Sequence, residues 1–264
     1  MSKKEFYIGW QDDMPEATRH FLRNFLMMVG MMILVIVVLV VILQKPFNDH
    51  VFEFGSLTSV TGVYIAEPFP MLQITKDRPP GFPASLLLVG IGKNGAQSIM
   101  ADIEEREGSL NLKEITLNGT LIYGDGKALL ELTNKAGSFE EATGNFRQPL
   151  EIELSFDQME ITGEILDPKC YFGVMKPGNG KIHKSCAIRC ISGGMPPVIR
   201  ERQENSESFN YHIITGLHGE EINDDLLQFI GETITITGNS YQQLGWNMLT
   251  INPSTIKRAL ASDE

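Results

Sequence analysis

Positive charge is scarce in this chain: 22 Lys and Arg stand against 33 Asp and Glu, for a formal net charge of −11. Proteins that hold phosphate backbones draw on a basic surface and on counterion release, so this deficit argues against nucleic acid as a partner. Cysteine is scarcer still, with three in 264 residues. Their spacing makes no C-x-x-C redox pair, no C-x-x-C-H haem site and no standard zinc finger. No set of base, nucleophile and oxyanion-stabilising residues emerges either, so no catalytic residue is assigned and a non-enzymatic protein is expected. Helical signals are few and short beyond the first fifty residues, which argues against a helical bundle.

What the chain does have is one long apolar run. Phe25 to Leu43 are nineteen consecutive residues without a charge or polar side chain, a length that nearly spans a ~30 Å hydrocarbon core as a helix. The following Gln44-Lys45-Pro46-Phe47 offers no small-residue cleavage site, so an uncleaved transmembrane helix at 25–44 is expected rather than a signal peptide. Lys3, Lys4, Arg19 and Arg23 precede the run, and only Lys45 follows it closely. The positive-inside rule then makes residues 1–24 a cytoplasmic tail and exports the remainder. Three cysteines are an odd number, so in an oxidising compartment at least one is unpaired, bridged to another chain or bound to a metal.

Beyond the anchor, short runs of Val, Ile, Thr and Leu alternate with Gly, Asn and Pro, the pattern of strands and turns. Strands are expected at 59–65, 85–91, 114–123, 128–133, 150–156, 159–166, 232–241 and 247–251. An internal echo organises them. Residues 115–132, beginning Ile-Thr-Leu-Asn-Gly, align without gaps on 234–251, beginning Ile-Thr-Ile-Thr-Gly, and Val60-Thr-Gly62 matches Ile161-Thr-Gly163 upstream. Two recurrences in the same order indicate a duplicated β unit. Glycine within a strand marks a bulge or sharp bend of the kind small barrels use at corners. The expected fold is therefore mainly β: one transmembrane helix, then two tandem small OB-like barrels at 51–150 and 158–264.

All three cysteines fall in the second unit, in the pattern C-x12-H-x2-C-x3-C formed by Cys170, His183, Cys186 and Cys190. If 181–191 is helical and stopped by Gly193-Gly194 and Pro196-Pro197, then His183, Cys186 and Cys190 share an arc of about 60°. Cys170, expected at the end of the preceding strand, would be returned to them by the turn-rich Lys176-Pro-Gly-Asn-Gly180. The four make a Cys3His ligand set for zinc, copper or an iron-type centre, with Met175 and Met195 as nearby soft donors. The alternative is a disulfide from Cys170 to Cys186 or Cys190 that staples loop to helix, and a reactive thiol is a third possibility. Between Pro168 and Ile199 there are five basic residues (Lys169, Lys176, Lys181, Lys184, Arg189) and no acidic one. Such cations favour thiolate, could dock an acidic partner, or form an ordinary solvated face. Asp167, in Asp-Pro, is expected to form a turn and could accept from a loop amide.

The run Gly163-Glu-Ile-Leu-Asp-Pro-Lys-Cys170, followed by His183-Lys-Ser-Cys186-Ala-Ile-Arg-Cys190 and Gly194-Met-Pro196, resembles a family of poorly characterised exported bacterial proteins carrying a C…HxxCAxxC…GxP motif. The resemblance covers about residues 158–260. It implies a bacterial source, and a place beside respiratory electron-transfer components such as Rieske iron–sulfur proteins and molybdopterin oxidoreductases. The expected protein is accordingly a periplasmic accessory subunit anchored in the inner membrane among other membrane-protein subunits. The alternative is a stand-alone periplasmic metal-binding or thiol-redox protein.

Overall fold

The computed structural model describes residues 14–44, 49–133, 137–146, 152–203 and 208–259. Lys3, Lys4, Lys45 and the start of the strand expected at 150–156 lie outside the described residues, as does the end of the second expected unit.

Helix α1 (Glu16–Leu43) is 28 residues long, with Pro15 before it, Glu16 in its first turn and no buried residue. Proline suits the start of a helix, where its missing N–H is not needed, and an acidic first turn meets the positive end of the dipole. The helix begins nine residues before the expected span because Glu16 to Asn24, a more polar stretch of about two and a half turns, continue it. Its apolar window reaches a mean hydropathy of 3.4, so by length and composition it can cross a membrane.

Residues 49–264 form a separate compact unit. Its elements in chain order are β1 (Val51–Phe52), β2 (Thr58–Ile65), β3 (Met71–Ile74), β4 (Ser85–Val89), α2 (Gln97–Glu107), β5 (Lys113–Gly124), β6 (Lys127–Leu132) and β7 (Phe139–Phe146). There follow β8 (Ile152–Leu166), a π-helical turn (Cys170–Val174), α3 (Lys184–Ile191), β9 (Val198–Arg202), β10 (Phe209–Gly216), α4 (Asn223–Leu226), β11 (Thr233–Gln243), β12 (Trp246–Ile251) and β13 (Lys257–Arg258). Strands β2 to β6 close one five-stranded barrel in the order β5-β2-β3-β4-β6, with β6 returning to β5. Strands β8 to β12 close a second in the equivalent order β11-β8-β9-β10-β12. Each contains one parallel pair, β4 with β6 and β10 with β12.

The echo in the sequence recurs in the register of the pairing. Gly62 lies opposite Ile115 and Gly163 opposite Ile234, while Gly119 lies opposite Leu132 and Gly238 opposite Ile251. Thr61 and Thr116 hydroxyls meet at 2.9 Å, and so do Thr162 and Thr235. A methyl group added at Gly62 would strike the Gln73 carbonyl, and one at Gly163 the Arg200 carbonyl. Glycine in both Thr-Gly pairs thus permits a neighbouring strand to approach closely.

Several elements differ from expectation. The strands expected at 150–156 and 159–166 are one continuous β8, and β3, β9, β10 and α2 are additional. The connections also diverge: residues 66–70 join β2 to β3, whereas residues 167–197 join β8 to β9 and carry every cysteine.

Both barrels bury two faces. In β4, Leu86 and Leu88 point into the first barrel with Tyr64, Leu72, Met100 and Leu130. Their neighbours Leu87 and Val89 point out, as strand alternation requires, and join Phe69, Met71, Ile122 and Leu129 against Leu166, Tyr171, Phe172, Tyr211, Trp246 and Met248 of the second barrel. The second barrel has its own interior of Ile161, Ile165, Ile214, Ile234, Ile236 and Leu249, closed on one side by Ala187 and Ile191 of α3. A fully buried side chain of this size contributes roughly 1.5–3 kcal/mol, so the seam is a major source of stability.

Polar contacts fix the seam. Buried Lys169 donates to Glu131 Oε1 at 2.9 Å and to the carbonyls of Gly90 and Gly92 at 2.8 Å. Gly95 N donates to Gly193 O at 2.9 Å and Gln97 Nε2 to Gly194 O at 3.0 Å. At another point His50 Nε2 lies 3.0 Å from Asp125 Oδ2. Asp125 also accepts from the Tyr211 hydroxyl, which sits 3.2 Å from that of Tyr171.

Candidate metal centre

The long connection after β8 assembles the site. β8 ends at Leu166, and Asp167, with no exposed surface, accepts from the backbone of Lys169 at 2.9 Å and of Cys170 at 3.3 Å through Oδ1. That cap starts the π-helical turn, in which Met175 N closes on Cys170 O at 3.0 Å. Cys170 therefore sits inside a turn, a correction to its expected place at a strand end. Gly180, at φ +76°, lets the chain reverse, and its N–H donates to Glu164. α3 starts at Lys184, later than expected, and His183 is its N-cap residue. Gly194, at φ +90°, and Pro196-Pro197 end the segment, as left-handed glycine and proline do.

Two sets of ligand-type atoms converge. A His183 ring nitrogen and the sulfurs of Cys170 and Cys186 lie within 4.8 Å of one another, and so do a carboxylate oxygen of Asp167 and the sulfurs of Cys170 and Cys190. Cys170 belongs to both. Its sulfur is 3.9 Å from that of Cys186, whereas a disulfide needs about 2.05 Å. All three cysteines are free; the disulfide from Cys170 to Cys186 or Cys190 is absent. Two thiolates on one tetrahedral zinc, each with a bond of ~2.3 Å, stand ~3.8 Å apart, so the Cys170–Cys186 spacing fits shared coordination. Met195 is buried in the same apolar cluster as Cys170 and Cys190, and Met175 is exposed.

The surroundings set the charge states. The Cys170 thiol is pushed far up by its hydrogen bond with Cys190, by burial and by Asp167; without a cation it stays protonated. Burial lowers the His183 pKa, Lys93 lowers it further, and Asp167 and Glu164 oppose them; the neutral imidazole is the form that binds metal. Two buried polar atoms have no hydrogen-bond partner, His183 Nε2 in the first set and Asp167 Oδ2 in the second. An unpaired buried acceptor beside thiols is costly, and a coordinated cation would offset that cost.

Sequence reasoning gave Asp167 a turn and a loop amide to accept from, which it does, but did not count it as a ligand, although the Asp-x-x-Cys spacing places it one turn from Cys170. It missed Lys93, whose ammonium reaches across from the first barrel to donate to Cys186 Sγ at 2.9 Å. That hydrogen bond raises the Lys93 pKa. The basic segment disperses: Lys169 is buried against the first barrel, Lys184 pairs with Glu232 at 2.9 Å and Lys176 donates to His50 O at 3.2 Å. Lys181 and Arg189 remain exposed.

No protein-family model, curated protein or solved structure matches the chain.

Proposed function

We propose that this chain is a membrane-anchored, non-enzymatic metal-binding protein whose two barrels are tandem OB-type units, with residues 49–264 in a bacterial periplasm. Its place is that of an accessory subunit in an electron-transfer assembly of the inner membrane, in keeping with the resemblance of residues 158–260. The observation that carries the reading is the meeting of Cys170, His183 and Cys186 within 4.8 Å, with a buried imidazole nitrogen left unpartnered. Zinc, copper or an iron-type ion suits sulfur and imidazole donors. The barrel order and the parallel closing pair support the OB assignment, as does a helix between the third and fourth strands of each barrel.

The test is to purify the full chain from membranes under reducing conditions, then determine bound metals by mass spectrometry and thiols by alkylation. Bound metal with protected thiols, and stoichiometric recovery with larger membrane subunits, are the expected outcomes. Three reactive thiols and no metal would sink the reading.

One contact favours a second reading, a stand-alone thiol-redox protein: the Lys93 ammonium on Cys186, with Cys170 only 3.9 Å from the same sulfur. In that case the chain is recovered alone, and mild oxidation joins Cys170 to Cys186 with loss of two protons and two electrons to the oxidant.

A further inference from the structure

We propose that the site holds two metal ions that share the Cys170 sulfur, one completed by His183 and Cys186 and the other by Asp167 and Cys190. The inference rests on the metal-binding reading above and deepens it.

The geometry sorts the donors into two groups around one sulfur. Cys190 falls with Asp167 and Cys170 rather than with the His183–Cys186 pair; α3 carries Cys186 and Cys190 about one turn apart, roughly 6 Å along the helix. Thiolate sulfur has lone pairs enough to bridge two soft or borderline cations. Each group also contains its own unsatisfied buried atom, His183 Nε2 in one and Asp167 Oδ2 in the other. A single ion on the first group leaves the carboxylate of Asp167, which has no exposed surface, with no cation and only the Cys170 thiol and two backbone amides to meet its charge.

Charge points the same way. Three thiolates and one carboxylate carry four negative charges, which two divalent ions balance in a buried setting, with His183 neutral. One divalent ion would leave two of those negative charges uncompensated in low dielectric, or two of the groups still protonated and so not acting as anionic ligands. Lys93 then lies outside the ligands, its N–H on the Cys186 sulfur, where such contacts tune a thiolate donor.

The experiment is metal stoichiometry on the full chain in detergent, reduced, stripped with chelator and titrated with Zn2+, read by native mass spectrometry. The wild type is expected to bind two ions. D167N and C190S each remove a donor from one group only and should bind one; H183A and C186S should also bind one, and C170S none. Asn retains an Oδ1 for the two backbone amides, so D167N keeps the turn. Far-UV circular dichroism checks folding, and C190S carries the test if D167N unfolds. Co2+ gives a second readout: two high-spin ions joined by one thiolate couple, so the wild type shows less paramagnetic resonance signal per cobalt than D167N. One ion in the wild type, unchanged in D167N, overturns the second site while the mononuclear reading stands. No ion at all overturns both, and two uncoupled ions overturn the sharing of Cys170.

Discussion

Replacing Lys169 by Met tests how the barrels hold each other. The Lys169 side chain is 5% exposed and that of Glu131 13%, and its ammonium serves two carbonyls besides the carboxylate. Met keeps the length and apolar stem but leaves Glu131 charged, buried and unpaired. Removing one partner of such a pair costs about 3–5 kcal/mol, mostly from the stranded charge. For a chain of this size each kcal/mol lowers the melting temperature by ~2–4 °C, so K169M should melt roughly 6–20 °C below the wild type. Adding E131Q removes the stranded charge and should restore over half of the loss, since replacing both members of a buried pair is far milder than breaking it. The assay is thermal unfolding of detergent-solubilised protein followed by circular dichroism. A K169M protein that melts with the wild type would refute the reasoning.

Other consequences follow from single residues. His212 is buried, and burial holds its pKa below 6.5, assisted by Lys127 and opposed by Glu201, whose carboxylate is 3.4 Å away. The unfolded chain therefore binds the proton more readily, and stability is lost as pH falls below about 6.5; H212Q should flatten the melting-temperature profile between pH 7.5 and 5. G163A should lower stability by about 1–3 kcal/mol through overpacking against the Arg200 carbonyl and Ile199, whereas G30A, with open space around it, should not; urea titration separates them. Burial and then the hydrogen bond to Asp125 hold Tyr211 far above its ordinary pKa of 10. Absorbance titrations of wild type and Y211F should therefore superimpose through that range, and an extra tyrosine ionising near 10 in the wild type would contradict the buried contact.

The sequence was most legible where a residue type answers to a local rule. Nineteen apolar residues announce α1, and the repeated Ile-Thr and Thr-Gly steps mark the strands whose glycines admit a neighbour. β10 was hidden because Ile213 and Ile214 are buried on opposite faces, which erases alternation. β9 was hidden by Arg200, Glu201 and Arg202; Glu164 meets the charge of Arg200, and Asn210 and His212 that of Glu201, across the sheet. α2 pairs three buried residues with a run of acidic ones, too narrow a stripe to stand out. At the site, the cysteines and His183 were legible by type and spacing. Lys93 was not, because its contact spans 93 positions and no local pattern encodes a pairing between the two barrels.

The shared apolar wall also constrains the order in which the chain can be completed. Residues 58–132 are made before 158–251, so until the second barrel is complete Met71, Leu87, Ile122 and Leu129 lack its side chains to pack against. They stay bare until Trp246 and Met248, near the end of synthesis, arrive to cover them. A half-made molecule is thus a sticky one, and a chaperone that shields that wall during the wait would serve this protein better than one acting on the finished product.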